Sequence, residues 1–221
     1  MGRFVIVFVL VAGGVVLNGC EDDAGRSVDA APDGIPWNPP DWSLCSESWE
    51  CGLASVTCCG VCGAPSLADV EGVNMERRTD QVRAVCGDEP PECPGCPTMP
   101  NPYLQASCED VGYPGGNVCQ AVDIQAGPIS ACVEDADCVV RAPTCCGSCS
   151  ELPASGYIAI HRDQGAAFNA LVCNPAEDCP ACEPVTPEGI VAVCADGPDP
   201  GTGGAPVARR CEVQAASESG G

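Results

Sequence analysis

Cysteine is the residue whose number and spacing in this chain could carry chemistry, and three kinds are open to it. The pairs Cys59-x2-Cys62 and Cys93-x2-Cys96 recur as Cys146-x2-Cys149 and Cys179-x2-Cys182. A CxxC element turns two sulfurs toward one side of an ion, so two such elements suit a tetrahedral zinc. Cys93-Pro94-Gly95-Cys96 and Cys179-Pro180-Ala181-Cys182 also have the spacing of a dithiol exchange centre, whose working thiolate needs a lowered pKa. The third chemistry is closure into structural disulfides. Twenty-one cysteines among 221 residues, with only three each of Trp, Tyr and Phe, indicate covalent stapling in place of a large apolar core.

Of the three, structural disulfides fit this chain best. A four-thiolate zinc site would leave the other cysteines of each set unexplained. The two CPxC segments resemble those of thioredoxin-type oxidoreductases, which set the thiolate at a helix start. Here each is followed by more proline, at Pro97 and Pro184, and the negative surroundings raise a thiol pKa. No metal or cofactor is expected; zinc binding and thiol redox chemistry stand as alternatives.

Other side chains offer less. His161 is the only histidine, and no serine or cysteine can be assigned to it as a nucleophile. GxSxG, HExxH and phosphate-binding glycine loops are absent, so no catalytic residue and no enzyme activity are expected. Glu134, Asp135 and Asp137 lie between Cys132 and Cys138, with Glu47 and Glu50 in a matching loop. Clustered carboxylates can hold calcium, but no EF-hand spacing is present and solvated charge is the expectation. The net charge is −22, and every basic residue is Arg. That charge repels phosphate backbones and argues against nucleic acid as a partner.

The elements that position these residues come from an internal duplication. Cysteines 45, 51, 58, 59, 62, 86, 93, 96, 108 and 119 recur at 132, 138, 145, 146, 149, 173, 179, 182, 194 and 211. Written out, Cys45, Cys51, Cys58, Cys59, Cys62, Cys86, Cys93, Cys96, Cys108 and Cys119 match Cys132, Cys138, Cys145, Cys146, Cys149, Cys173, Cys179, Cys182, Cys194 and Cys211. Glu47 matches Glu134, Thr57 matches Thr144 and Gly60 matches Gly147 in the same register, and Asn74 stands where His161 does. Ten cysteines allow hundreds of pairings, and the sequence does not choose among them. Adjacent side chains in extended backbone point to opposite faces, so Cys58-Cys59 and Cys145-Cys146 should each feed two different bridges.

The expected fold is a small disulfide-rich α+β structure of two tandem homologous modules. Each has an irregular cysteine-rich front half, one short helix and a β-hairpin. The helices are expected at Met75 to Val85 and at Arg162 to Val172. Met75, Val82, Val85, Phe168, Leu171 and Val172 should face inward, and Asp163 could cap the second helix. Strands are expected from Ile190 to Cys194 and from Val207 to Val213, joined by the Gly- and Pro-rich loop Asp196 to Pro206. Copy one has a shorter hairpin from Leu104 to Val122. The boundaries are 45–122 for module 1, 123–131 for a linker, 132–213 for module 2 and 214–221 for a disordered tail.

The amino terminus supplies a compartment. Arg3 precedes an apolar run from Phe4 to Leu17 that is too short to span a bilayer, which describes a secretory signal over 1–19. Leu17-Asn18-Gly19-Cys20 resembles the bacterial lipobox, which implies acylation of Cys20 and membrane anchoring through it. Twenty cysteines lie from Cys45 onward and Cys20 is left over, so acylation explains the odd count. Residues 20–44 form an acidic, Pro-rich stem, with Trp37 and Trp42 expected to rest on the edge of module 1. The expected location is the bacterial cell envelope, at the outer membrane or cell surface rather than the inner membrane.

The run Cys132-x5-Cys138-x6-Cys145-Cys146 resembles part of the whey-acidic-protein core. That likeness implies protease inhibition through the bracketed loop Val139 to Thr144. The leading expectation is a lipid-anchored display protein whose modules bind an extracytoplasmic protein or glycan.

Overall fold

Each adjacent cysteine pair feeds two bridges, and the ten bridges of the computed structural model hold a small fold of two short helices and several antiparallel sheets. The structure describes residues 38–93, 95–185, 188–197 and 209–216. The signal segment, Cys20, most of the stem, Trp37, nearly all of the loop from Asp196 to Pro206, and residues 217–221 lie outside them.

In chain order the elements are β1 (Leu44–Cys45), β2 (Cys51–Ser55), β3 (Val70–Asn74), α1 (Arg78–Cys86), β4 (Leu104–Glu109) and β5 (Asn117–Asp123). They continue as β6 (Cys138–Arg141), β7 (Ile158–His161), α2 (Gly165–Val172), β8 (Ile190–Asp196) and β9 (Arg209–Ala215). Strands β1, β5 and β4 make a three-stranded sheet, while β2–β3, β6–β7 and β8–β9 are antiparallel pairs. The register matches between the two cysteine sets. Cys51 faces Asn74 and Cys138 faces His161. Cys108 faces Cys119 and Cys194 faces Cys211. Leu44 pairs with Val118, and Ala131 bridges Arg210.

Three expectations are corrected. The front of each set is not irregular, because β2–β3 and β6–β7 form there. Their strands are short and separated by a long cysteine loop, so no hairpin turn announces them. Both helices begin later than expected, since Met75–Arg77 and Arg162–Gln164 wind as 3-10 turns. In α1 the buried residue is Gln81, while Met75 and Val82 stay exposed. The Cys58–Cys86 bridge fixes the end of α1, and its inward position at 81 is polar. The Gln81 amide donates to the Ser55 carbonyl at 2.9 Å and to Glu71 at 2.8 Å.

The bridges run Cys45–Cys108, Cys51–Cys119, Cys58–Cys86, Cys59–Cys93 and Cys62–Cys96. The same order recurs as Cys132–Cys194, Cys138–Cys211, Cys145–Cys173, Cys146–Cys179 and Cys149–Cys182. Cys108 and Cys119 stand opposite each other on β4 and β5, so both project from one face. Instead of bonding each other they clamp the two ends of the acidic loop, Cys45 and Cys51. Cys194 and Cys211 do the same for Cys132 and Cys138.

Apolar burial is small. One cluster holds Ile124, Ile158, Ile160 and Phe168, with Tyr103, Leu171 and Val172 against it. A second is largely sulfur: Cys138, Cys194 and Cys211 around Ala159. The segment 123–131 joins the first cluster, with Ile124 and Ser130 buried and the Ser130 hydroxyl donating to the Ile124 carbonyl at 2.8 Å. Tyr103 reaches the backbone of Ala159 and Val213, and burial pushes its phenol up. The stem is docked from Asn38 onward. Tyr113 donates to the Asn38 side chain at 2.8 Å, Pro39 is fully buried, and Trp42 sits in a 3-10 turn touching β3 and α1. Strand β9 continues through Gln214 and Ala215 into the segment expected as tail.

The closest backbone approach is at Gly72 on β3. A Cβ there would lie 2.5 Å from the Cys119 carbonyl carbon and the Gln120 nitrogen. The matched residue on β7, Ala159, has its Cβ and is fully buried. Gly72→Ala should therefore cost at least about 1–3 kcal/mol through overpacking, and Ala159→Gly about 1 kcal/mol or less. Urea denaturation of the two variants measures the contrast.

Candidate functional site

The sulfurs come first. All twenty cysteines from Cys45 to Cys211 are bridged, so no free thiol is left among the described residues to ligate zinc or attack a disulfide. Each CxxC opposes another CxxC: Cys59 and Cys62 take Cys93 and Cys96, and Cys146 and Cys149 take Cys179 and Cys182. No CPxC closes on itself, as an oxidised exchange centre does, and among the described residues neither one opens a helix. The sulfur triads Cys45–Cys51–Cys108, Cys132–Cys138–Cys211 and Cys145–Cys146–Cys179, each within 4.8 Å, are neighbouring disulfides.

The acidic loops turn inward on their own backbone. Asp137 accepts from the Val133 and Glu134 amides at 2.9 and 3.0 Å, and Glu50 accepts from Ser46 and Glu47 at 2.8 and 3.4 Å. Each caps a 3-10 turn. Asp135 accepts from the Cys194 amide at 2.8 Å, where the matched Ser48 hydroxyl accepts from Cys108 at 3.1 Å. Carboxylates read from sequence as possible calcium ligands thus hold the loop that the two clamp bridges enclose.

These bonds should make the fold slightly less stable in acid. The Glu134 and Val133 amides hold the Asp137 carboxyl below its usual range, and the Ser66 hydroxyl and amide do the same for Asp69. A carboxyl depressed in the fold stabilises it fully above the unfolded pKa, near 4, and loses that contribution as pH falls through the lower folded value. Stability should be flat in these groups above about pH 5 and fall below pH 4. Asp137→Asn should flatten part of that limb in pH-dependent thermal melts.

His161 has a structural task. Its Nδ1 accepts from the Asp163 amide at 3.1 Å, and the matched Asn74 Oδ1 accepts from Glu76 at 3.0 Å. Asp163 is therefore the residue capped, and the cap lies at His161. A ring nitrogen and an amide oxygen satisfy the same orphan N–H at a helical start. His161→Asn should leave stability within about 0.5 kcal/mol, while His161→Ala loses about 1 kcal/mol, as thermal unfolding will show.

The loop proposed to enter a protease cleft is mostly strand. Val139 to Arg141 pair with β7, and Ala142 is buried. The Arg141 guanidinium lies 4.2 Å from the Phe168 ring centroid and donates to the Asn169 side chain at 3.0 Å. The Arg141 side chain is thus laid against α2. Beside it runs a groove of about 440 Å3, walled by Val139, Pro184 and Val185 over the buried Tyr157 and Ile160, with Arg141 and Arg162 along it. The trio Arg141, Phe168 and Asn169 was not evident from either copy alone. Comparing the copies reveals it, because Ala54, Gln81 and Val82 occupy the matched positions.

No family model matches the chain, and neither a curated protein nor a solved structure matches it.

Proposed function

We propose that the chain is a membrane-anchored, extracytoplasmic lipoprotein that displays two tandem disulfide-stapled modules for binding rather than catalysis. The observation that supports this is the use of twenty cysteines in ten bridges, five within each set and wired alike. Disulfides at this density persist outside the reducing cytosol, and they make a rigid surface, which lowers the entropy lost on binding. The signal-like segment, the lipobox-like Cys20 and the Pro-rich stem supply export, anchor and reach. Two copies on one stem raise avidity for a repetitive protein or glycan partner without new contacts. In this reading attachment runs through Cys20; no helix among the described residues is long and apolar enough to cross a membrane.

The test is expression of the full chain in a bacterial host fed labelled palmitate. Wild type should carry label in the membrane fraction, and Cys20→Ser should lose both label and membrane attachment. An unlabelled wild type, or a labelled Cys20→Ser, defeats the anchor.

A further inference from the structure

The groove beside β6 is lined by two arginines, Arg141 and Arg162. The chain has 31 acidic residues and nine arginines, yet among the described residues neither Arg141 nor Arg162 forms an ion pair. Arg162 is exposed and feels Asp137 only at longer range. Arg141 is half-buried, and burial pulls its pKa down, the mark of a cation deprived of water with no counter-charge in return. A guanidinium has five N–H donors. Asn169 takes one from Arg141 and Phe168 fixes its plane, so the other donors are pre-oriented beside apolar walls.

The first half builds the same elements around a different set of side chains. At the matched positions it carries Ala54 and Met75 in place of the arginines, and Gln81 in place of the aromatic platform. The same strands and bridges form without them.

We propose that this groove binds a carboxylate carried on a short apolar body, with the Arg141 guanidinium taking the carboxylate through paired N–H donors. The exposed Val139, Pro184 and Val185 take the apolar part, and Arg162 adds positive potential at the rim. This inference rests on the reading of the chain as a binding protein and names a ligand class for one of its modules. A free aliphatic acid and a peptide C-terminus share this chemistry.

The test titrates the full oxidised chain with hexanoate and with N-acetyl-leucyl-leucine, followed by amide shifts around β6 and α2. At least one probe should saturate with Kd below about 1 mM. The corresponding amide should bind at least tenfold more weakly, and inorganic phosphate should not compete at equal concentration. Arg141→Gln should weaken binding at least tenfold. Val139→Asp, at an exposed position that leaves the Arg141–Phe168 contact intact, should do the same. A tenfold preference for the dipeptide assigns the site to peptide ends; parity or the reverse assigns it to free acids. No saturation by 10 mM, equal binding of the amide, effective competition by phosphate, or binding unchanged by both variants overturns the proposal. With all ten bridges still formed and Cys20 still acylated, those failures reject the groove and leave the wider reading standing.

Discussion

Replacing Cys138 and Cys211 together by alanine should lower stability by about 4 kcal/mol, the largest loss expected from any one bridge. Cys138–Cys211 closes the longest loop, with a sequence separation of 73, against 28 for Cys145–Cys173. Loop-closure entropy makes the longer bridge worth ~1 kcal/mol more. Its sulfurs also lie in the interior, Cys211 being fully buried against Ala159 and Cys194, so their removal leaves a void as well as a freed chain. A small domain has only about 5–15 kcal/mol in total. The variant should unfold at markedly lower urea, and the short-bridge variant Cys145→Ala, Cys173→Ala should lie between it and wild type. A loss under about 1 kcal/mol for the long bridge would mean that sulfur is not what closes this core.

Phe168→Ala should cost about 3–5 kcal/mol. Phe168 is fully buried among Ile124, Ile158 and Ile160, in a cluster too small to collapse around the cavity. It is also the platform for Arg141, so the loss should reach the groove. In the first half the same position is Gln81, tied to Glu71 and the Ser55 carbonyl. Placing Phe there alone strands a half-buried carboxylate and a carbonyl without their donor. Gln81→Phe should therefore destabilise, and Gln81→Phe with Glu71→Ile, which copies the Phe168–Ile158 pair, should recover much of the loss. That recovery is the non-additivity expected of side chains in contact. Chemical denaturation of the single and double variants measures it.

Cysteine positions made much of this legible, because the spacing between them is a length measurement that both copies repeat. The opposed destinations of Cys58 and Cys59 follow from backbone geometry, and the β8–β9 pair from two strand segments set on either side of a Gly- and Pro-rich run. Three things were hidden for physical reasons. Strands β3 and β7 are too short to show alternation, and their partners lie across a long loop. The inward residue of α1 is a glutamine whose burial is permitted only by partners brought from β2 and β3, which no helical periodicity records. The acidic loops read as solvent-facing charge, whereas Glu50, Asp135 and Asp137 serve backbone amides. The bracketed run Val139 to Thr144 reads as a loop because the platform of Arg141, Phe168, is remote in sequence.

Peptide mapping of the non-reduced protein after stepwise partial reduction, read with its intact mass, addresses the disulfide core most directly. The non-reduced chain should be lighter by two hydrogens per bridge than its reduced form, with no free thiol from Cys45 to Cys211 and no metal. Fragments joined as Cys58–Cys86 and Cys59–Cys93 should reappear in the second half as Cys145–Cys173 and Cys146–Cys179. Stoichiometric zinc, a CPxC segment bridged to itself, or a bond between the two halves would contradict this disulfide core.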